Sequence, residues 1–268
     1  MKRQTKLVNK VKHLLKRINA PEYLHKFGPK KYKLWEIVYN LFLRTEWKCS
    51  FRRTTKLCNQ IGIKCPSKST LQYTLKRIPW KFLKNMLNAS IKRVVNVAAM
   101  DGTAFSQSNP SWHYIQRAGI NIYKRDTVKL SILVDTRTKK ILFAKFRKKV
   151  VHDIKDAKYL IKNSPKKPRT LVADKGYDAE WFHEFLHDQG IKTCIPVRKG
   201  IHHGFYRKRS KCDKRTYGRR EMSESSFSKL KRLFGSSLNC ISAHMQRAEI
   251  FLRIICYNIS SYFLCLRT

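Results

Sequence analysis

The sequence predicts an α/β protein in which a mixed β-sheet is flanked by helices and preceded by an all-helical region. The first 90 residues carry apolar side chains at helical spacing and no strand-like run. From residue 91 onward, short apolar runs alternate with amphipathic stretches, the pattern of strands interleaved with helices. We therefore divide the chain into a helical region, residues 1–90, and an α/β domain, residues 91–268.

Two helices open the helical region. Residues 2–18 place leucine, valine and isoleucine at intervals of three and four, which predicts an amphipathic helix. Residues 33–44 are apolar around most of the helical circumference, which predicts a buried helix.

A helix-turn-helix pattern follows. Residues 54–62 end in a glycine that suits a helix C-terminus, and residues 69–78 begin at a serine and stop before Pro79. The basic residues Lys68, Lys76 and Arg77 on or beside the second helix are candidate DNA contacts. A helical hairpin that only packs against its neighbours would give the same pattern.

The α/β domain follows a regular order of elements. The predicted order is a strand, a hairpin, a helix, a strand, a helix, a strand, a basic loop and two helices. The predicted strands are 94–105, 126–135, 141–149, 170–177 and 191–200. The predicted helices are 153–163, 178–190, 223–234 and 243–266, and the loop is 199–220.

The charge of the chain is extreme. It has 59 Lys and Arg against 17 Asp and Glu, a formal net charge of +42, and the basic residues are spread along its whole length. Such a positive field attracts polyanions, so DNA or RNA is the first candidate partner, and a generally basic proteome or a ribosome-associated protein is the alternative.

The cysteines and the apolar segments bear on compartment. Eight cysteines are present without a C-x2-C pair or zinc-finger spacing, so free thiols in a reducing cytoplasm are the expectation. The basic N-terminus lacks the apolar core of a secretory signal. Residues 250–266 contain Arg253 and Asn258, which favours a buried closing helix over a membrane span.

Two acids stand near the ends of apolar, strand-like runs. Asp101 is followed by a glycine at once, and Asp174 by a glycine one residue later. Because ligands of open α/β sheets gather at the carboxyl ends of strands, both acids are expected at one edge. Two carboxylates brought together repel each other unless a cation lies between them. Oxygen ligands favour Mg²⁺ or Mn²⁺, and two such ions can drive in-line phosphoryl transfer.

A third acid is proposed from the run that begins at Tyr217. It reads Y-x2-R-x3-E-x6-K, with Arg220, Glu224 and Lys231 at the remaining positions. Glu224 would be the third metal ligand, with Lys231 on the same helical face two turns later. Glu221 is a neighbouring carboxylate, but only Glu224 satisfies both spacings. The alternative is a solvated charged helix face.

These motifs resemble a known family. The DGT at Asp101, the ADKGYD around Asp174 and the Y-x2-R-x3-E-x6-K run are similar to those of insertion-sequence DDE transposases with a Tyr-Arg-Glu-Lys signature. The resemblance covers about residues 94–262 and implies a ribonuclease-H-like core. By position it implies Asp101, Asp174 and Glu224 as catalytic metal ligands. It likewise implies Tyr217, Arg220 and Lys231 as contacts to element-end DNA.

The resemblance also implies a reaction and a setting. Such proteins cut double-stranded DNA at the terminal inverted repeats of an element and join the freed ends to target DNA, with two Mg²⁺ or Mn²⁺ ions expected at the site. A homodimer in a synaptic complex and a prokaryotic, cytoplasmic location are the matching expectations. The loop 199–220 is shorter than the β insertion of many relatives. Two alternatives stay open: a decayed transposase that only binds DNA, and a ribonuclease-H-like nuclease without strand transfer.

Several other residues receive structural assignments. Asp153 and Asp178 are predicted at the N-terminal ends of helices, as capping or surface groups. Trp181 and Phe182 are predicted in the core, and Trp112 in packing rather than base stacking.

Overall fold

The computed structural model describes residues 2–24, 27, 30–91, 94–107, 116–117, 119, 127–198, 200, 203–210 and 212–259. The chain packs as two compact units. One contains Met1–Ser90 and the C-terminal segment that begins at Leu233, and the other is Ile91–Arg232. The sequence-based division places that C-terminal segment in the α/β domain, and the limits of the functional domains stay a prediction.

The described elements run as follows. The helices are α1 Lys2–Arg17, α2 Leu34–Glu46, α3 Phe51–Gln60, α4 Lys68–Arg77, α5 Trp80–Ala89, α6 Ile154–Asn163, α7 Glu180–Asp188, α8 Phe205–Lys208, α9 Lys214–Gly218, α10 Glu221–Phe234 and α11 Ala243–Asn258. The strands are β1 Val97–Ser106, β2 Thr127–Asp135, β3 Ile141–Arg147, β4 Thr170–Ala173 and β5 Lys192–Cys194. A 3₁₀ turn covers Lys175–Tyr177.

The first unit is built around α2 and α11, which contact each other and are buried along most of their length. Glu249 of α11 accepts hydrogen bonds from the backbone N–H groups of Asn239 and Cys240, and pairs with Arg253 at 2.6 Å. A buried carboxylate is tolerated because these donors replace its hydration. The burial predicted for residues 33–44 is confirmed.

Helix α5 was not predicted from the sequence. Its apolar residues Leu83, Met86 and Leu87 follow helical spacing and are buried, and Pro79 occupies its N-cap position. The spacing and the proline were the signals that could have found it.

Helices α3 and α4 lie where the two helices of the helix-turn-helix pattern were predicted, and they contact each other. The Ser50 side chain accepts a hydrogen bond from Arg53 N at 3.2 Å, and Ser67 accepts one from Thr70 N at 3.2 Å. These caps satisfy N–H groups that have no partner within the helix. Helix α4 therefore begins at Lys68, one residue earlier than predicted, because Ser67 rather than Ser69 is its cap.

The second unit contains a five-stranded mixed sheet in the order β3-β2-β1-β4-β5. Strand β1 is antiparallel to β2 and parallel to β4, and β4 is parallel to β5. Helices α6 and α7 follow β3 and β4 in sequence, and α6 packs against β2 and β3. The predicted α/β class, a mixed sheet flanked by helices with helices at the N-terminus, is confirmed.

Two strand ends differ from the prediction. Strand β1 continues to Ser106, because its antiparallel pairing with β2 runs as far as Ser106 opposite Thr127. Asp101 therefore lies within the strand rather than at its end. Strand β4 stops at Ala173, so Asp174 begins the 3₁₀ turn.

The predicted capping role of Asp178 was wrong. Its buried carboxylate accepts hydrogen bonds from Arg198 N at 2.9 Å and Arg207 Nε at 2.7 Å, and contacts His183 Nε2 at 3.1 Å. Ala179 instead precedes α7. Phe182 is fully buried as predicted, but Trp181 is 45% exposed, so its predicted core position was also wrong.

The loop 199–220 is more structured than predicted, because it contains the short helices α8 and α9. It is also closed by a covalent link. Cys194 and Cys212 form a disulfide, so the expectation of free thiols was wrong for this pair. Cys49, Cys58, Cys65, Cys240 and Cys256 are free thiols.

The described helices fall short of a membrane span. Within that part of the chain, no helix is both long enough and apolar enough to cross a membrane. The described portion of the predicted closing helix, α11, is buried, as expected. Residues 260–266 lie outside the described residues.

The disulfide predicts a measurable change in stability. Its two cysteines are 18 residues apart, so the closed loop stabilises the folded state by about 3 kcal/mol through the unfolded chain. The double variant Cys194→Ser/Cys212→Ser should unfold at lower denaturant concentration than the oxidised parent. Denaturant unfolding followed by circular dichroism measures this. The free-thiol variant Cys65→Ser is the control, and equal midpoints for the double variant and the parent would contradict the prediction.

Candidate active site

The backbone register brings the first two predicted acids together. In the parallel pairing of β1 with β4, the last pair is Met100 opposite Ala173. The next residue of each strand is the acid, Asp101 in β1 and Asp174 after β4. Asp101 is partly buried and Asp174 is exposed. The two carboxylates therefore start from neighbouring positions at the carboxyl end of the parallel pair.

The surroundings of Asp101 disfavour its negative charge. Burial raises the pKa of Asp101, and the nearby carboxylates of Asp153 and Glu224 raise it further. The N–H of Gly102, which donates to Asp101 Oδ1 at 2.8 Å, and the Arg220 guanidinium act in the opposite direction. Asp101 is thus a carboxyl group whose environment holds uncompensated negative charge.

Helix α10 carries the third predicted acid. Glu224 is exposed, and its Oε1 pairs with Arg220 Nη1 at 2.7 Å across one helical turn. Arg220 is also within electrostatic range of Asp101 and Asp174. The Arg220 guanidinium therefore forms an ion pair with Glu224 and attracts Asp101 and Asp174 electrostatically. The Y-x2-R-x3-E spacing brings Arg220 and Glu224 into direct contact.

Lys231 joins α10 to β1. Its Nζ donates to Thr103 Oγ1 at 2.8 Å and lies 5.3 Å from the centre of the Phe105 ring. Thr103 is two residues beyond Asp101, so both side chains lie on one face of the strand. Burial lowers the pKa of Lys231. Lys231 thus places α10 beside the strand that carries Asp101.

Tyr217 lies on α9, just before Arg220, and is partly exposed. It is within electrostatic range of that guanidinium. All four residues of the Tyr-Arg-Glu-Lys run are therefore described, and Arg220 interacts with both Tyr217 and Glu224.

A further carboxylate, Asp153, lies at the same place and was not predicted as a site residue. Its Oδ1 pairs with Lys129 Nζ at 2.5 Å and contacts the backbone position of Gly102. Asp153 occupies the N-cap position of α6, as predicted, but its side chain makes no capping hydrogen bond among the described residues. Nothing local in the sequence distinguishes it from a cap, because its partners come from two distant strands.

In the first unit, α4 presents a basic face. Lys68, Lys76 and Arg77 are all exposed, while Leu71 and Leu75 are buried on the opposite side. The Arg77 guanidinium bonds the Tyr73 hydroxyl and lies 4.9 Å from its ring centre. The three predicted DNA-binding residues are therefore exposed, with Lys68 in the first turn of α4 and Lys76 and Arg77 in its last turn.

The second unit also has a cavity of about 480 Å³, which is lined by other residues than the three predicted acids. It is bordered by His183 and His187 of α7, Lys192 and Thr193 of β5, and Tyr206 of α8. The buried histidine of this cavity, His183, contacts the buried Asp178 carboxylate. This contact gives His183 a structural role. Trp112, Asp126 and His202 lie outside the described residues.

A family model described as "Transposase DDE domain" matches residues 95–259, more than half of the chain. The chain belongs to this family. It is accordingly a DNA transposase. Among solved structures, a cryo-EM structure of the piggyBac transposase synaptic complex with hairpin DNA is similar at a TM-score of 0.49 and 13% identity. That match covers 98% of this chain and 73% of the other.

DDE transposase domains use divalent metal ions. The donors here fit such an ion in type, because Asp101 and Asp174 offer carboxylate oxygens from adjacent backbone positions. Asp101, Asp174 and Glu224 do not form a complete metal site in this structure. Within the described ranges, no three or more His, Cys, Asp or Glu side chains are arranged to hold a metal ion. The adjacent pair and the ion-paired Glu224 would therefore have to close around the ion.

The raised pKa of Asp101 predicts that the transposase is more stable without this charge. A carboxyl group with a raised pKa in the folded state binds protons more tightly there than when unfolded. Stability is therefore lost as pH rises from the ordinary pKa through the raised one. Asp101→Asn, which keeps the acceptor for Gly102 N–H, should raise the melting temperature at pH 7 in chelator and not at about pH 3.

Thermal unfolding followed by circular dichroism at both pH values provides the test. Glu184→Gln, a neutralised and exposed acid on α7, is the matched control and should leave both melting temperatures unchanged. A lower melting temperature for Asp101→Asn at pH 7 would show that the charge of this carboxyl group does not destabilise the fold.

Proposed function

We propose that this transposase cleaves the ends of an insertion-sequence element and joins the freed 3′ ends to target DNA. Asp101, Asp174 and Glu224 would be its catalytic acids. The observation that supports this is the strand register that makes Asp101 and Asp174 neighbours in a domain of the DDE family. The Arg220–Glu224 pair supports Glu224 as the third acid, since a single guanidinium interacts with all three.

The metal would be Mg²⁺ or Mn²⁺, and two ions would be held in the working complex. Asp101 and Asp174 would hold the first, and Glu224 would join once Arg220 releases it. Bound there, the ions supply Lewis acidity that activates the attacking oxygen and stabilises the leaving oxygen. The residues do the positioning: the strand ends fix the two Asp side chains, and α10 carries Glu224 to them.

Tyr217, Arg220 and Lys231 would contact the DNA at the element end, as in the Tyr-Arg-Glu-Lys subgroup to which we assign the chain. A guanidinium can hold a phosphate through two parallel hydrogen bonds, which suits Arg220. Lys231 would add a second positive charge for the DNA, farther along α10 than Arg220. Its hydrogen bond to Thr103 supports a position beside the strand that carries Asp101.

The basic face of α4 would bind the terminal inverted repeats of the element. Lys68, Lys76 and Arg77 are exposed at the two ends of a capped helix that follows a turn, and a recognition helix in such a pair of helices can enter the major groove. Two protomers would hold two element ends in a synaptic complex. The expected location is the prokaryotic cytoplasm, on DNA.

A catalytically decayed, DNA-binding relative and a nuclease without strand transfer are the two alternatives. All three predicted acids are present, which favours an enzyme over a decayed binder. Joining of a cleaved 3′ end to a second DNA distinguishes a transposase from a nuclease.

Replacing any one of the three acids by alanine should abolish metal-dependent cleavage. Asp101→Ala, Asp174→Ala and Glu224→Ala are each expected to reduce cleavage of element-end DNA by about 10⁴-fold or more, because the acids act as one unit. DNA binding should not weaken, because carboxylates repel phosphates rather than bind them. Cleavage of labelled end DNA in Mg²⁺ and a mobility-shift assay measure the two properties.

Glu221→Ala is the matched control for the third acid. Glu221 is exposed on the first turn of the same helix α10, so removing it changes the net charge equally. It should cleave like the parent. Loss of cleavage in Glu221→Ala together with normal cleavage in Glu224→Ala would mean that Glu221, not Glu224, is the third acid.

Removing the basic face of α4 should weaken DNA binding in a salt-dependent way. The triple variant of Lys68, Lys76 and Arg77 to glutamine should lower the slope of log affinity against log salt by about 1 for each phosphate that the variant no longer neutralises. Fluorescence anisotropy at several salt concentrations measures this slope. Lys16→Gln, an exposed cation on α1, is the control, and an unchanged slope in the triple variant would show that α4 does not contact DNA.

A further inference from the structure

Asp153 lies at the carboxylate site although its sequence context marks it as a helix start. It precedes α6, yet its carboxylate turns to the sheet and pairs with Lys129 Nζ of β2 at 2.5 Å. The side chain of Lys129 is only 5% exposed, and its Nζ also donates to the Val151 carbonyl. A buried ammonium requires such partners, so the pair is a fixed part of the fold.

The pair lies directly against the peptide that follows Asp101. A Cβ added to Gly102 would collide with Asp153 Oδ1 and would lie 3.2 Å from Lys129 Cε. Gly102 is therefore a glycine because Asp153 and Lys129 occupy the space of a side chain. Its N–H donates to Asp101 Oδ1 at 2.8 Å. Asp153 and Lys129 thus fix the peptide that orients the Asp101 carboxylate.

Tyr177 gives independent evidence of a ligand position among these carboxylates. It is 1% exposed, and its hydroxyl has no hydrogen-bond partner within the described part of the chain. The hydroxyl is in electrostatic range of Asp153, Asp101 and Asp174. A buried hydroxyl without a partner costs about 1–3 kcal/mol, so its retention needs an explanation. A buried hydroxyl within electrostatic range of carboxylates can donate to a carboxylate oxygen that turns toward it.

We propose that Asp153 is a positioning residue of the cation site: with Lys129 it clamps Gly102, and this orients Asp101 toward a divalent cation. The inference rests on the proposed function, because it concerns the same acids. Groups that orient a metal ligand from behind commonly change metal affinity by about 10–100-fold when they are removed. The competing explanation is that Asp153 only neutralises the buried Lys129.

Two variants distinguish these explanations. Asp153→Asn removes the charge but leaves the Lys129 ammonium buried without its counter-ion, so it can lose stability as well. Asp153→Asn/Lys129→Met removes both charges: Met fills the buried position of Lys129, and Asn keeps a polar side chain at position 153, which is 40% exposed. Glu184→Gln, an exposed acid of the same unit, controls for the change in net charge.

The readout is Mn²⁺ binding to the full chain, followed by the loss of the free-ion electron paramagnetic resonance signal, with melting temperatures measured alongside. We expect the folded double variant to need about tenfold more Mn²⁺ for half-saturation, and Glu184→Gln to match the parent. Parent-like Mn²⁺ affinity in the double variant overturns the proposal, as does a parent chain that binds no Mn²⁺.

Cleavage of element-end DNA is measured on the same proteins. A parent chain whose Mn²⁺ affinity falls in the double variant, but which never cleaves DNA, would refute the proposed function and leave the positioning role standing. A parent chain that cleaves, with a double variant of unchanged Mn²⁺ affinity, would refute the positioning role and leave the proposed function standing.

Discussion

Negative charge crowded at the carboxyl end of β1 is the constraint on which the second unit depends. Three of the acids there pair with cations: Asp153 with Lys129, Asp156 with Arg147, and Glu224 with Arg220 one helical turn away. Carboxylates brought this close destabilise one another unless such partners offset the repulsion. The pairs of Asp153 and Asp156 join α6 to the sheet, and the Lys231–Thr103 hydrogen bond joins α10 to β1.

The sequence was most informative where a residue's environment is set by its neighbours in the chain. Asp101 and Asp174 were found because an acid directly after an apolar, strand-like run is rare in a chain with so few acids. The parallel register then makes them adjacent. The helical spacing that chose Glu224 over Glu221 corresponds to a real contact, the Arg220–Glu224 pair. These features need no knowledge of distant contacts.

Prediction failed where partners come from afar. Asp153 reads as a helix cap, and only the folded β2 reveals Lys129 as its partner. Asp178 was also predicted as a helix cap, but its carboxylate accepts a hydrogen bond from Arg207, 29 residues later in the chain. The length of β1 depends on the pairing partner β2, and the Cys194–Cys212 link depends on how the chain returns to β5. None of these has a periodic or spacing signature.

The decisive experiment is anomalous diffraction at the manganese edge from crystals of the chain bound to element-end DNA in Mn²⁺. We expect a manganese peak at ligand distance from the carboxylates of Asp101 and Asp174, with Lys129 still paired to Asp153 behind Gly102. Manganese bound only at other residues, for example in the cavity beside His183 and His187, with Asp101 and Asp174 free of metal, would contradict the proposed site.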